Sequence, residues 1–371
     1  MPMVDLHGQY LKIKQEVDEG IQEVLAQSAF INGPAVKEFQ QMLSDYLGGC
    51  HVITCGNGTD ALQIALMALN LQPGDEVIVP AFTYVASIEV IVLLGLTPVL
   101  VDVDYNTFNI NLVEQAISSR TRAIIPVHLF GQSSDMEPLL ELASKHGLYV
   151  VEDNAQAIGA EYTFSDGRKV KTGTMGIIGC TSFFPSKNLG CYGDGGALFC
   201  HDDALAERIR MISNHGQRVK YHHDIVGCNS RLDTLQAAVL KAKLPHLDAY
   251  NKARASAADY YTAHLSGLEG IVPPTVAHYS SHVFHQYTLK IKQGRRDALK
   301  VFLAEKGIPS MIYYPLPLQE QKAYRSHCRI SGDLGVASTL CQEVLSLPMH
   351  TELTTEQQDM VIESIKSFIQ P

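Results

Sequence analysis

Apolar residues in the first half of the chain come in short unbroken blocks rather than in alternation. Residues 51–55, 76–79, 98–103, 123–127 and 148–152 are such blocks, rich in β-branched side chains and closed by glycine or polar residues. Between them, residues 60–68 have helical composition, and residues 136–146 form a second helical stretch with Asp135 placed to cap it. Strands apolar on both sides and separated by helices predict a mostly parallel sheet covered on both faces. From Cys180 the rhythm changes. Residues 181–184 and 197–200 read as closely spaced strands around a glycine-rich bend at 190–196, and residues 203–213 read as a long helix. Beyond residue 250 the pattern is α+β. Val283, His285, Tyr287, Leu289 and Ile291 alternate as a half-buried strand. Residues 297–306 are helical and stop at Gly307-Ile308-Pro309. The tail, 355–369, puts Val361, Ile365 and Phe368 on one helical face. The expected fold class is therefore α/β with a mostly parallel central sheet and a smaller C-terminal α+β domain. The boundary is placed near 245–255, giving a large domain over 1–248, with an N-terminal helical arm, and a small one over 249–371.

Composition narrows the function. The chain has 371 residues, of which 46% are hydrophobic and 18% charged, enough to bury a sizeable core. Thirty-nine acidic residues against 29 basic ones give a net charge of −10. That balance argues against a broad nucleic-acid-binding surface but leaves room for a small anionic ligand. The most apolar stretch, 88–103, carries Glu89 and Pro98 and is shorter than a membrane span. Residues 1–11 lack a basic segment followed by an apolar run, so no secretory leader and a cytoplasmic location are expected. Eight scattered cysteines without a CxxC pair predict buried free thiols and no metal site.

Three segments can carry chemistry. Gly56-Asn57-Gly58-Thr59-Asp60 follows a strand and opens a helix. Its glycines permit close backbone approach, and free N–H groups at a helix start attract phosphate. An ordinary strand-to-helix turn is the other reading, and the segment is neither a Walker P-loop nor a GxGxxG turn. Glu152 and Asp153 end an apolar strand, where open α/β sheets place their ligands. They read either as a helix-capping carboxylate or as a carboxylate aimed at a cationic ring nitrogen. Lys187 lies between a strand and a glycine-rich turn, in Thr181-Ser182-Phe183-Phe184-Pro185-Ser186-Lys187-Asn188-Leu189-Gly190. It is either a surface lysine or an amine held in an apolar pocket with a lowered pKa, able to form a Schiff base. Taken together, a phosphate cradle, a carboxylate at a strand end and a lysine on a later loop are the three grips that pyridoxal phosphate needs.

With those grips in place, the chain resembles the DegT/StrS-type nucleotide-sugar aminotransferases, fold-type I enzymes that use pyridoxal phosphate. The motifs that carry the likeness are Phe30-Ile31-Asn32-Gly33-Pro34, Gly56-Asn57-Gly58-Thr59-Asp60-Ala61-Leu62, Pro80-Ala81-Phe82-Thr83-Tyr84, Glu152-Asp153-Asn154-Ala155-Gln156, Ser182-Phe183-Phe184-Pro185-Ser186-Lys187 and Asn229-Ser230-Arg231-Leu232. The resemblance implies roles position by position. Lys187 would join the cofactor's aldehyde, and Asp153 would pair with its pyridine nitrogen. Gly58, Thr59 and Asp60 would form the phosphate cradle, with Ser182 adding a hydroxyl. Tyr84 would stack on the ring, and Gln156 would lie near the ring hydroxyl. Asn229 would reach the phosphate in a neighbouring subunit, which implies a homodimer with shared sites. Lysine rather than histidine at 187 favours amino transfer over dehydration, and no appended helix-turn-helix supports a regulatory role.

The likeness is to the branch that aminates C3 of UDP-2-acetamido-2-deoxy-3-oxo-D-glucuronate for surface polysaccharides, with L-glutamate as donor and 2-oxoglutarate as product. The alternatives are another 3-keto or a 4-keto (6-deoxy) nucleotide sugar and a non-catalytic, cofactor-binding regulator. Arg231 would face the uronate carboxylate, since guanidinium binds carboxylate bidentately, or would serve a structural salt bridge. Tyr313, before Tyr314-Pro315, stands where this branch often has histidine, and both tyrosines are candidate sugar contacts. His350 reads as facing the site or as packed within its loop.

Overall fold

The computed structural model describes residues 1–111 and 114–369. Three helices lead the chain: α1 (Leu6–Lys12), α2 (Lys14–Gln27) and α3 (Pro34–Tyr46). Then β1 (His51–Cys55), α4 (Gly58–Ala68), β2 (Glu76–Pro80), α5 (Ala86–Leu93), β3 (Thr97–Val101), β4 (Thr121–Ile124), α6 (Met136–His146) and β5 (Tyr149–Asp153) alternate. A small hairpin, β6 (Glu161–Thr163) and β7 (Lys169–Lys171), precedes β8 (Ile178–Ser182), β9 (Gly196–Cys200) and α7 (Asp203–Ser213). A second hairpin, β10 (Gln217–Val219) and β11 (His222–His223), leads to α8 (Thr234–Lys243) and α9 (Leu247–Leu265). The remainder comprises β12 (Ile271–Val272), β13 (Tyr287–Ile291), α10 (Arg296–Glu305), β14 (Arg329–Ile330), α11 (Gly335–Glu343), β15 (Val344–Leu347) and α12 (Thr355–Ile369).

The large sheet has the order β1-β9-β8-β5-β4-β2-β3-β14. Its pairs from β14 through β8 are parallel, while β9 runs against both β8 and β1. The fold class is thus the expected one. Buried apolar blocks explain why: every residue of β2, β8 and β9 is buried, because helices cover both faces. A second, three-stranded antiparallel sheet, β12-β13-β15, packs with α9, α10 and α12 around Tyr261, Tyr287, Leu289, Leu303, Leu347 and Ile365. The expected boundary at residue 248 falls inside α9. Beyond it the chain returns to the large sheet: β14 extends the sheet edge, and Leu318, Leu334, Ala337 and Leu340 join the first core.

Several expected elements shift. The strand expected at 181–184 spans Ile178–Ser182 instead. Its start is masked by Gly179, where a Cβ would lie 1.9 Å from the Gly173 carbonyl oxygen. The strand expected at 123–127 is β4 at Thr121–Ile124, after which Val127 keeps a single bridge to Asp153. The strand expected at 98–103 is β3 at Thr97–Val101. Asp135 sits at the N-cap position of α6, but its carboxylate accepts from the Tyr162 hydroxyl at 2.5 Å rather than from the helix. All eight cysteines are free, six of them buried and Cys228 and Cys328 half-buried.

The largest correction concerns residues 283–291. Only Tyr287–Ile291 are strand, and all five are buried rather than half-buried. Lys290 shows how a charge tolerates that position. Its ammonium donates to the Tyr105 carbonyl oxygen at 2.9 Å and lies over the Tyr105 and Phe108 rings. Residues 283–286 cross over Gly131 instead of pairing in the sheet. Gly131 has φ +107, and a Cβ there would lie 2.9 Å from the Phe284 amide nitrogen and 3.0 Å from that of His285. Gly131→Ala is therefore expected to destabilise the protein by about 2 kcal/mol or more, from positive-φ strain and backbone displacement together. Urea unfolding midpoints of the two proteins measure it; an unchanged midpoint would show that the crossing is not rigid.

Candidate active site

Strand β1 ends at Cys55, and the chain turns through Gly56 and Asn57 into α4. Asn57 is extended and caps the helix, its side-chain oxygen accepting from the Asp60 amide at 2.8 Å. Gly58 lies against Ser182 at the end of β8, where an added Cβ would come within 2.7 Å of the Ser182 Cβ. The two strand ends thus meet, and the first amides of α4 have no intrahelical partner. Of the expected cradle residues, Gly58 and Thr59 line the cavity, whereas the Asp60 amide donates to Asn57 and its carboxylate accepts from the Ser230 hydroxyl at 2.5 Å.

That cavity, of about 440 Å³, lies over the C-terminal ends of the parallel strands. It gathers Gly58, Thr59, Tyr84, Asp153, Gln156, Ser182, Lys187, Tyr313 and Tyr314 from five separate stretches of chain. Asp153 ends β5 and is 5% exposed. Its carboxylate accepts from the Ser87 hydroxyl at 2.9 Å and the Ala155 amide at 3.1 Å. Burial raises its pKa, while those two donors and the charge of Lys187 pull the other way. Gln156 accepts from the Phe130 amide at 2.7 Å and donates to the Tyr314 hydroxyl at 3.1 Å. Tyr84 stays half-exposed, its ring 6.0 Å from that of Tyr314.

Lys187 reaches the same cavity from the turn after β8, where its amide donates to the Phe184 carbonyl. Burial lowers its pKa to about 8, with Asp153 partly opposing the shift. The residue is half-buried and lines the cavity. Such an amine is a base close to neutrality, which a surface lysine is not.

The neighbour of Asp153 takes the opposite face of the sheet. Glu152 is fully buried and accepts from the His128 imidazole at 2.8 Å and from the amides of Gly173, Met175 and Gly176 at 2.6–2.8 Å. His128 Nδ1 accepts from the Ser134 amide at 3.0 Å, so the ring proton is on Nε2 and donates to Glu152. The Asp153 backbone is bracketed by the same loop, its amide donating to Pro126 and its carbonyl accepting from His128. The pair of acids at this strand end therefore divides into one that faces the cavity and one that anchors the strand.

Asn229 and Arg231 do not line the cavity of their own chain. Arg231 is half-buried and makes no ion pair among the described residues. His350 is buried in its loop, away from the cavity. Sequence reasoning missed His285, Gln286 and Asp194, which do line it. Asp194 lay within a motif already noted, whereas His285 was hidden in an apparent strand alternation.

The family model described as the DegT/DnrJ/EryC1/StrS aminotransferase family matches residues 11–366. A pleiotropic regulatory protein of Geobacillus stearothermophilus is 47% identical over 99% of this chain and 98% of that protein. A UDP-N-acetyl-3-dehydro-alpha-D-glucosamine 3-aminotransferase of Acidithiobacillus ferrooxidans is 46% identical over 96% and 95% of the two chains. A UDP-2-acetamido-2-deoxy-3-oxo-D-glucuronate aminotransferase of Pseudomonas aeruginosa is 45% identical over 95% and 96%. Among solved structures, an aminotransferase from Brucella abortus superposes with a TM-score of 0.95 at 39% identity over the whole of both chains. NtdA of Bacillus subtilis, solved with bound pyridoxamine phosphate (PMP), gives 0.88 at 32% identity over 97% and 82% of the chains.

Pyridoxal phosphate is the cofactor of this family. The cavity fits it on three counts: unpartnered helix-start amides beside a hydroxyl, a buried carboxylate without a cationic hydrogen-bond partner, and an amine of lowered pKa. The amine gives a pH test. Because its folded pKa lies below the unfolded value near 10.5, the unfolded chain binds the extra proton between about pH 8 and 10.5. Cofactor-free protein pays the full burial penalty below about pH 8 and sheds it as the pH rises through that window. The stability of wild type relative to Lys187→Met is thus expected to be flat below this window and to rise within it. Denaturant titrations across the range check it; a constant difference would place the amine in water.

Proposed function

The chain belongs to the DegT/DnrJ/EryC1/StrS aminotransferase family, and on that footing we propose that it moves an amino group from L-glutamate to C3 of UDP-2-acetamido-2-deoxy-3-oxo-D-glucuronate, releasing 2-oxoglutarate. The observation that carries the reading is the Lys187 amine, drawn to a pKa of about 8, in one cavity with the buried Asp153. The bound cofactor supplies an electron sink conjugated to the carbon that loses and regains a proton. Asp153 would pair with the ring nitrogen, the Gly58 and Thr59 amides and the Ser182 hydroxyl would hold the phosphate, and Tyr84 would lie against the ring. Lys187, once free, would take the α-proton of glutamate and, in the second half-reaction, would give a proton to C3 of the sugar.

Support for the sugar comes from two sides. The names of the Acidithiobacillus and Pseudomonas relatives both describe UDP-linked N-acetylated 3-keto sugars. Arg231 offers a guanidinium that no carboxylate of its own chain satisfies among the described residues. Since Arg231 and Asn229 lie off their own cavity, we read both as serving the cavity of a second copy, in a homodimer with shared sites. A second reading is the neutral sugar without the C6 carboxylate. What favours it is Tyr313, a phenol in the cavity where the resemblance leads to a histidine. A non-catalytic, cofactor-binding regulator would hold the cofactor through the same amine, and turnover of a keto sugar separates the enzyme from it.

Purified holoenzyme offered glutamate with the uronate, its neutral 3-keto analogue or a dTDP-linked 4-keto-6-deoxy sugar is expected to prefer the uronate by about tenfold or more in kcat/KM. Arg231→Ala is expected to lower kcat/KM for the uronate by about tenfold to a hundredfold while leaving the neutral sugar within a few fold. Turnover of the neutral sugar alone overturns the uronate assignment, and turnover of the 4-keto sugar alone overturns C3.

A further inference from the structure

Residues 282–286 are held in a conformation that costs free energy. Phe284 has φ +45, which a bulky side chain adopts only where its surroundings impose it. Those surroundings are specific. Val283 donates its amide to the Gly131 carbonyl at 2.9 Å, and the Phe284 amide donates to His282 Nδ1 at 3.0 Å. The Asn188 side chain, next in sequence to Lys187, donates to the Val283 carbonyl at 2.9 Å. From behind, the Arg254 guanidinium donates to the carbonyl oxygens of Phe284, His285 and Met349 at 3.2–3.3 Å. Arg254 is 3% exposed and has no carboxylate partner among the described residues, so its charge serves to shape this backbone.

The product of these constraints is the position of one imidazole. His285 is 5% exposed and lines the cavity together with Lys187. Its Nδ1 is enclosed without a partner, which leaves Nε2 as the nitrogen on the cavity side. Burial, then the charges of Lys187 and Arg254, keep the ring uncharged. Two of the acceptors that share the cavity are already engaged. Asp153 receives Ser87 and Ala155 and, in the proposed function, the ring nitrogen; the Gln156 oxygen receives the Phe130 amide.

We propose that His285 is the positioning residue for Lys187: its neutral imidazole accepts a hydrogen bond from the lysine amine whenever that amine is not bonded to carbon, and so keeps it beside the reacting atoms. The inference rests on the proposed role of Lys187. It assigns a purpose to the strained crossing, to the buried unpaired Arg254 and to the enclosed Nδ1, each of which weakens the fold on its own.

The test reads the amine directly. In cofactor-free enzyme, competitive labelling with an amine-reactive reagent and peptide mass spectrometry give the titration midpoint of Lys187, expected near pH 8 in the wild type. His285→Phe keeps the bulk and removes the acceptor, so the midpoint is expected to fall by about half a pH unit or more. In holoenzyme the same variant is expected to lose about tenfold or more in kcat with little change in KM, and His285→Gln, whose amide oxygen can accept, to recover most of it. An unchanged midpoint and kcat overturn the inference, and so does a loss of thermal stability with the midpoint unmoved. Should His285→Phe fail to fold, His285→Asn replaces it, with a shorter side chain that must lower both readings. If Lys187→Ala still turns over, the proposed function itself fails; if Lys187 is essential and the His285 variants behave as wild type, only this inference does.

Discussion

An ammonium group and a carboxylate share one buried cavity, and neither has the hydration it would have in water. Burial pushes Lys187 down toward neutrality and pushes Asp153 up, while each moderates the other. This tension is the constraint around which the rest of the molecule is arranged. A lysine with an ordinary pKa would be too strongly protonated to move protons near neutral pH. An aspartate without Ser87 and Ala155 would tend to take up a proton itself and lose its hold on a ring nitrogen.

The fold supplies the geometry through the ends of parallel strands. β5 delivers Asp153, β8 delivers Ser182 and then Lys187, and β1 delivers the turn into α4. Each strand is locked by contacts remote from the cavity. Glu152, with four donors on the far side of the sheet, keeps β5 from sliding, and a one-residue slip there would swap the two acids. Ser230 ties Gly56 and Asp60 together and so fixes the approach to the cradle. Loops from the C-terminal part of the chain add Tyr313, Tyr314 and His285 to the cavity lining.

What the sequence made legible was local. Short apolar blocks ending in polar residues identify β1, β2 and β5, and the residues just past those ends are the ones that meet in the cavity. The illegible parts depend on contacts distant in the chain. β8 begins earlier than its β-branched residues suggest, because Gly179 answers to a carbonyl at Gly173. The Asp60 carboxylate accepts from Ser230, 170 residues away, a contact that no local pattern announces. Val283 and His285 fit a strand period, but Gly131, Asn188 and Arg254 bend that stretch out of the sheet. Asn229 and Arg231 do not line this cavity, and periodicity carries no information about which distant segments meet in it.

The account stands on the identity of the amine. Borohydride reduction of the cofactor-loaded enzyme, followed by proteolysis and peptide mass mapping, reports which side chain is joined to the cofactor. The mass is expected on the peptide that contains Lys187 and on no other. Finding it on a different lysine, or finding no modified peptide in protein that carries the cofactor, would contradict the account.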